Sequence, residues 1–255
     1  MKPKAIIPFK KERAKSRLGG VLSEKEREEF AVRMLGDVLV ALSESEIEEV
    51  EIISTCSEEQ IKEDLKLELN LESESKLNLN VKLTVREDGR ELNEVLNEEI
   101  KDEKEPVLII MADVPLATPE SINEIISREE DVVITPGREG GTNALFLRKP
   151  YKFAVSYYGI SCLKHIETAK RRDLSYAIHD SFFISTDIDE VDDLIELLIH
   201  GRSGGRSRSF SAEYLRGIGV SIHADNNSKL RAKVKMGVGR GMLSYANSNH
   251  GSSQS

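Results

Sequence analysis

The stretch VLIIMA at 107–112 is apolar at every position. A strand with one wet face alternates apolar and polar residues, so an unbroken apolar strand must be covered on both faces. This predicts the buried middle of a mostly parallel sheet, with helices packed above and below it. Other short apolar runs fit the same plan: 4–9, 50–54, 131–135, 144–148 and 182–186 read as further strands. Between them come helical patterns. Ser23 and Glu26 form a capping box ahead of Phe30, Met34, Leu35, Val38 and Leu42, which recur at helical spacing. A second helix is expected from Ser57. Thr118 is placed to cap a third, with Pro119 at its first position. Further helices are expected at 161–172 and 189–199. The alternation defines an α/β fold, a Rossmann-like mixed sheet flanked by helices.

Two stretches depart from it. Leu65, Leu67, Leu69 and Leu71 alternate with polar residues, and so do Leu77, Leu79, Val81, Leu83 and Val85. Period-two alternation on both sides of a polar ESES predicts an inserted β-hairpin over 65–85 with one apolar face. That face would cover either the body of its own chain or a second copy in a homodimer. The second departure is the end of the chain. The main domain is expected to span 1–205, with 206–255 a basic, Gly- and Ser-rich extension, partly disordered, in which SAEYLRGIGVSI forms a short helix and a strand.

Composition narrows the function. Residues 201–255 carry nine Lys/Arg against two Asp/Glu, while the first 200 carry 27 against 43. An acidic body argues against nonspecific binding of nucleic acid, and the absence of Trp argues against base-stacking platforms. No apolar run reaches the ~20 residues of a membrane span. Cys56 and Cys162 lie far apart in no metal-ligand spacing, which fits a reduced, cytoplasmic setting. No membrane and no nucleic-acid partner is expected.

Against that acidic background, the first strand empties into Lys10, Lys11, Arg13, Lys15 and Arg17. Ligands of open α/β sheets bind beyond the carboxyl ends of the strands, so Lys10, Lys15, Ser16 and Arg17 are candidates to hold a phosphate chain. The plain alternative is a solvated charged loop, and no Walker pattern is present. Asp113 directly follows the central strand. A carboxylate there is costly unless a cation meets it, and Mg²⁺ takes oxygen ligands; capping of the turn before residue 118 is the alternative. Asp187 follows another apolar run, with Asp189 two residues on and therefore on the same face of an extended chain. Asp189 could instead cap the next helix. Gly140 and Gly141 precede Thr142 and Asn143, and Gly159 precedes Ser161 at a helix start, where an anion could be held. His165 shares that helix face without being a compelling general base. Cations, carboxylates and a second anion site on one sheet edge fit nucleotidyl transfer, in which an enzyme mainly orients reactants and screens charge.

IPFK with AKSRL at 7–18, EDGRELNEVL at 87–96, ADVPLATPE at 112–120, TPGREGGTNAL at 135–145, YGISCLKH at 158–165 and TDIDEVDDL at 186–194 stand in one order. As a set they resemble the 2-phospho-L-lactate guanylyltransferase family, a branch of the nucleotidyltransferases with a glycosyltransferase-A-like sheet. The resemblance covers about 190 residues and leaves out the hairpin and the extension. It implies that the phosphate of 2-phospho-L-lactate attacks the α-phosphorus of GTP. Lactyl-2-diphospho-5'-guanosine and pyrophosphate would form, on the way to the deazaflavin coenzyme F-420. Carried over, Lys15, with Lys10, Ser16 and Arg17, would grip the triphosphate, and Asn93 would lie near the nucleotide. Asp113 and Asp187, with Asp189, would hold Mg²⁺. Thr142, Asn143, Gly159 and Ser161 would hold the acceptor, and Lys15, Asp113 and Asp187 would carry catalysis. No general base is needed, because a phosphate monoester is already ionised near neutral pH. Two alternatives stay open: the same fold acting on phosphoenolpyruvate or another phosphorylated acceptor, and a non-enzymatic dimeric binding protein.

Overall fold

The computed structural model describes residues 3–68, 80–202, 208–224 and 232–236. Its centre is a seven-stranded sheet. In chain order the strands are β1 (Lys4–Phe9), β2 (Glu49–Ser54), β3 (Lys82–Glu87), β4 (Val107–Ile110), β5 (Val132–Pro136), β6 (Thr142–Leu147) and β7 (Tyr176–Ile178). They lie side by side as β3-β2-β1-β4-β6-β5-β7. β6 runs antiparallel to both neighbours, and the other pairings are parallel. The four residues of β4 are fully buried, as their unbroken apolar character demands.

Alternate residues of the strands feed two cores. Ala5, Ile7 and Phe9 face one side with α1 (Glu24–Ser43), α2 (Glu58–Glu68), α4 (Pro119–Ile126), α7 (Asp193–His200) and α8 (Phe210–Gly217). Ile6, Val107 and Ile109 face the other with α3 (Leu92–Ile100) and α5 (Ser161–Arg171). The period of two along β1 is thus split between layers. Both expected helix starts are present: Ser23 and Glu26 close a reciprocal capping box, and Thr118 caps α4 with Pro119 in its first turn. α1 presents far more than a stripe to the protein, with Phe30, Met34, Leu35, Val38 and Leu42 all buried. It packs against α2, α4 and α8.

Three expectations change. Among the described residues of 65–85 the expected hairpin is not seen. Leu65 and Leu67 belong to the last turns of α2, and Leu83 and Val85 to β3, which pairs in parallel with β2 rather than antiparallel in a hairpin. Leu69, Leu71, Leu77 and Leu79 lie outside the described residues. Leu65 and Val85 are buried in their own chain's core, so intrachain packing accounts for them, whereas Leu67 is 63% exposed. The alternation is overridden by helical spacing that begins upstream of it: Ile61 and Leu65 stand four apart on the buried face of an otherwise polar helix. The run at 182–186 is not a strand. Phe182–Ser185 forms one helical turn, α6, in which only Ile184 is buried. Finally, the main core does not stop at 205. Ala212, Leu215 and Val220 pack into it, followed by β8 (Val220–Ala224) and β9 (Ala232–Met236), which pair with each other. The short helix and strand expected in this segment are both present; the chain beyond 236 lies outside the described residues.

α8 is fastened by an unusual cap. Asp37, buried in the middle of α1, accepts hydrogen bonds from the backbone N–H groups of Phe210 (2.6 Å) and Ser211 (3.1 Å) and from the hydroxyls of Ser209 (3.1 Å) and Ser211. A carboxylate from one helix thereby satisfies the exposed N–H groups of another. Burial pushes the Asp37 carboxyl up to about 7, against the pull of these donors. Among the described residues, no helix is long and apolar enough to cross a membrane.

Candidate active site

The strands β1 to β4 open at their carboxyl ends into a cleft of about 420 Å³. Its floor is apolar, with Phe9, Met34, Ile53 and Met111. Its rim is charged, with Lys10, Lys15, Asp88, Arg90, Glu91, Asp113 and Asp189. This is where ligands of open α/β sheets sit.

The loop after β1 turns tightly. Arg13 and Lys15 both have positive φ, 54° and 52°, an uncommon conformation for residues with a side chain. It delivers the Lys15 ammonium into the site, 2.7 Å from Asp113 Oδ2 and 2.5 Å from Asp189 Oδ1. Burial works against this ammonium, but the charges of Asp113 and Asp189 outweigh it and raise its pKa. Lys10 also lines the cleft. Ser16 and Arg17 lie on the 3-10 turn that follows; Arg17 reaches Glu190 at 3.3 Å and is 59% exposed. Neither residue lines the cleft.

Asp113 comes off the end of β4, as its place behind an apolar strand predicts. The segment 187–189 is tied to it, because Ile188 N–H donates to the Asp113 carbonyl at 3.0 Å. Asp187 accepts from the Asn143 amide at 3.1 Å, and that amide also donates to the Ile184 carbonyl at 2.9 Å. Burial raises the Asp187 pKa, and the neighbouring charges of Asp113 and Asp189 add to the rise; Asn143 opposes them. Asp189 is not the cap of the following helix. Asp192 stands at that position, without a side-chain capping bond, and Asp193, the first residue of α7, folds back to accept from the Asp189 and Glu190 N–H groups.

The carboxylates at 113, 187 and 189 therefore gather at one place, though not as a finished metal cage. Among the described residues no three ligating side chains close around a single point, since Lys15 stands between two of them and Asn143 holds the third. One observation fits a further cation: Asp113 Oδ1 is buried and has no hydrogen-bond partner among the described residues. A buried carboxylate oxygen left bare is costly, and an all-oxygen donor set suits hard Mg²⁺, which binds through one or two carboxylates plus substrate phosphates.

Thr142, at the start of β6, points to the opposite layer from Asn143. Its hydroxyl lies 3.0 Å from His165 Nδ1 and 3.0 Å from the Ser161 hydroxyl. All three residues are buried. Gly140 and Gly159 both have positive φ, 80° and 60°, so the two turns beside this group need glycine. Sequence reasoning placed Asn143 at the acceptor; its side chain instead serves Asp187. Asn93, expected near the nucleotide, does not line the cleft. It accepts from Tyr157 N–H at 2.6 Å and donates to the Tyr157 carbonyl at 3.3 Å. Asn97, one turn on, does the same for Val155, at 2.8 and 3.0 Å. The two asparagines act as a false strand, pinning the segment that leads to Gly159. Asn97, His165 and Tyr158, whose hydroxyl meets Glu91 at 3.2 Å across the cleft mouth, were not foreseen as site residues. The spacing of Asn93 and Asn97 on one helix face was the available signal.

The sheet order, the single reversed strand beside its centre and a charged cleft at the carboxyl ends define a nucleotidyltransferase fold. In keeping with this, a candidate nucleotide-diphospho-sugar transferase of Desulfovibrio desulfuricans G20 superposes with a TM-score of 0.64 at 19% identity, covering 85% of this chain and 95% of its own. The chain belongs to the guanylyl transferase CofC-like family, which it matches over residues 3–237. It is 44% identical over 208 residues to the 2-phospho-L-lactate guanylyltransferase of Methanococcoides burtonii, spanning 82% of this chain and 88% of that one. It is 46% identical over 205 residues to the enzyme of that name from Methanosarcina mazei, spanning 80% and 89%.

Proposed function

We propose that this protein is a guanylyltransferase that transfers GMP from GTP to the phosphate of 2-phospho-L-lactate, in the synthesis of the deazaflavin coenzyme. A phosphate oxygen of the acceptor bonds to the α-phosphorus of GTP, the bond from that phosphorus to the bridging oxygen breaks, and pyrophosphate leaves with the electron pair. The observation that carries this reading is the gathering of Lys15, Asp113 and Asp189 at the rim of one cleft, with Asp187 close to the two carboxylates, together with membership of the family.

The residues divide the work. The apolar floor takes the nucleoside, and Lys10 and Lys15 take the triphosphate. Asp113 Oδ1, Asp187 and Asp189 would hold Mg²⁺, which supplies charge neutralisation and polarisation of the phosphoryl oxygens. As the triphosphate arrives, Lys15 can leave its carboxylates for phosphate oxygens, so its charge is already in the site before the substrate. Thr142 and Ser161, beside the glycine turns at Gly140 and Gly159, receive the acceptor. No side chain need remove a proton, because the attacking oxygen is ionised near neutral pH.

The test is pyrophosphate release from each of four nucleoside triphosphates, with 2-phospho-L-lactate, phosphoenolpyruvate or no acceptor. Release from GTP only with phospholactate, and only with Mg²⁺ present, is the expected result. Equal release without an acceptor would mark the protein as a hydrolase and end this reading.

A further inference from the structure

His165 sits fully buried between two partners of opposite demand. Its Nε2 lies 3.0 Å from the backbone nitrogen of Ser156, a group that can only donate. Nε2 must therefore offer a lone pair, and in a neutral imidazole the proton then resides on Nδ1. Burial among Phe153 and Tyr157 keeps the ring neutral: their centroids lie 5.9 and 5.1 Å away, and burial together with the Lys164 charge holds the His165 pKa down at about 4. Nδ1–H in turn faces the Thr142 hydroxyl at 3.0 Å.

Proton counting now decides what this cluster can bind. Thr142 and Ser161 own two hydroxyl protons and share one hydrogen bond, at 3.0 Å. One proton is used between them. The other cannot go to His165, because Nδ1 already carries its own. Resting on the function proposed above, we infer that His165 is a positioning residue: by donating to Thr142 it leaves the Thr142–Ser161 pair with one hydroxyl proton directed outward, toward the anionic acceptor. The opposite tautomer would reverse the polarity. A bare Nδ1 would take the Thr142 proton, Ser161 would give its own to Thr142, and only lone pairs would face a phosphate or carboxylate. The backbone N–H of Ser156 forbids this. Asn93 and Asn97 hold the segment 155–157 in place, so the chain of control runs from α3 through Ser156 and His165 to the two hydroxyls.

The test has a spectroscopic arm and a kinetic arm. In ¹⁵N-histidine-labelled protein, the His165 ring should show its proton on Nδ1 at neutral pH. His165→Leu should raise the KM for 2-phospho-L-lactate about tenfold, the loss of roughly one hydrogen bond, and leave the KM for GTP unchanged. His165→Asn, which keeps an N–H near the Nδ1 position, should recover most of that loss. A ring proton on Nε2 would overturn the inference, and so would an unchanged acceptor KM or an equal rise in both KM values. The nitrogen spectrum of the native protein decides the matter even if the leucine variant fails to fold. Absence of turnover in the native protein with every acceptor would instead sink the proposed function, which separates the two failures.

Discussion

Two carboxylates in this molecule are drawn into the fold and used in opposite ways. Asp37, in the middle of α1, is met among the described residues by neutral donors, two hydroxyls and two backbone N–H groups, and both of its oxygens are engaged. Asp113, at the end of β4, is met by a full positive charge on one oxygen and, among the described residues, by nothing on the other. The first arrangement is closed: every group that could bind is already bound. The second is open on one side, with the Lys15 ammonium as counter-charge on the other. A buried carboxylate that is finished by hydrogen bonds stabilises; one that is left with a bare oxygen beside an ammonium has room for a further partner. The contrast separates framework from site better than burial does, because both residues are largely withdrawn from water.

The sharpest way to break the contrast is to neutralise each carboxylate in turn. Asp113→Asn should lower kcat/KM by roughly a thousandfold, the scale of losing a preorganised charge contact, with the thermal midpoint hardly moved, since Lys15 keeps Asp189 as a partner. Steady-state kinetics and a melting curve on the same sample check both halves. Substantial activity in this variant would remove Asp113 from the site. Lys15→Ala comes next. It should raise the GTP requirement about tenfold to a hundredfold, as expected for a charged contact to phosphate, and should leave the acceptor KM unchanged.

Asp37→Ala should give the mirror result: normal KM values for the folded protein, but a stability loss of about 3 kcal/mol, because four donors at the start of α8 lose their acceptor inside the core. The pH dependence carries a definite sign. The Asp37 carboxyl titrates near 7 in the folded protein and near its ordinary value, 3.8, when unfolded. Its contribution is therefore complete below the lower value, falls as pH rises between the two, by at most about 1.4 kcal/mol per pH unit, and is exhausted above 7. Denaturant midpoints of the native protein and Asp37→Asn, compared from pH 5 to pH 8, should converge as pH rises. A gap that widens with pH would mean that the donors, not burial, govern this carboxyl.

Much of this was legible in the residues themselves. The unbroken apolar run before Asp113 required a buried strand, and a carboxylate behind it required a partner. The cations after the first strand were the available source of one, and Lys15 stands among them. What the residues could not show was pairing across the chain. Nothing near Asn143 indicates that its amide belongs to Asp187, 44 positions away, and nothing near Asp37 points to Ser209 and Ser211. The alternating leucines misled for a related reason. Period two and period four both fit Leu65 and its neighbours, and only the surface offered by α1 selects the helix. The run at 182–186 has strand composition, but it forms a single helical turn that buries only Ile184 on its way to Asp187.

Asn93 tests whether a residue outside the cleft can still act on it. Its two bonds to Tyr157 are local in effect, and Asn93→Ala should cost about 1–2 kcal/mol of stability. Through Ser156 it should also raise the acceptor KM a few-fold and leave that for GTP alone. Asn97→Ala, one turn away, should behave in the same direction, because Val155 adjoins the same segment.

The smallest effect is expected at Arg17, and it is the one that most sharpens the contrast. Arg17 belongs to the same cationic run as Lys15 and looks equivalent to it in the sequence. In the fold they part: Lys15 is nearly withdrawn from water between two carboxylates, whereas Arg17 is mostly exposed and meets Glu190 at the surface. An exposed pair of this kind is worth about 0–1 kcal/mol and is screened by salt. Arg17→Ala should therefore change the GTP requirement less than about threefold, and that small change should vanish in high salt. If it instead matched the loss in Lys15→Ala, and kept that size in salt, the triphosphate would have to reach beyond the cleft to the 3-10 turn, and the boundary between the open carboxylate site and the surrounding surface would lie further out than the geometry of Lys15 sets it.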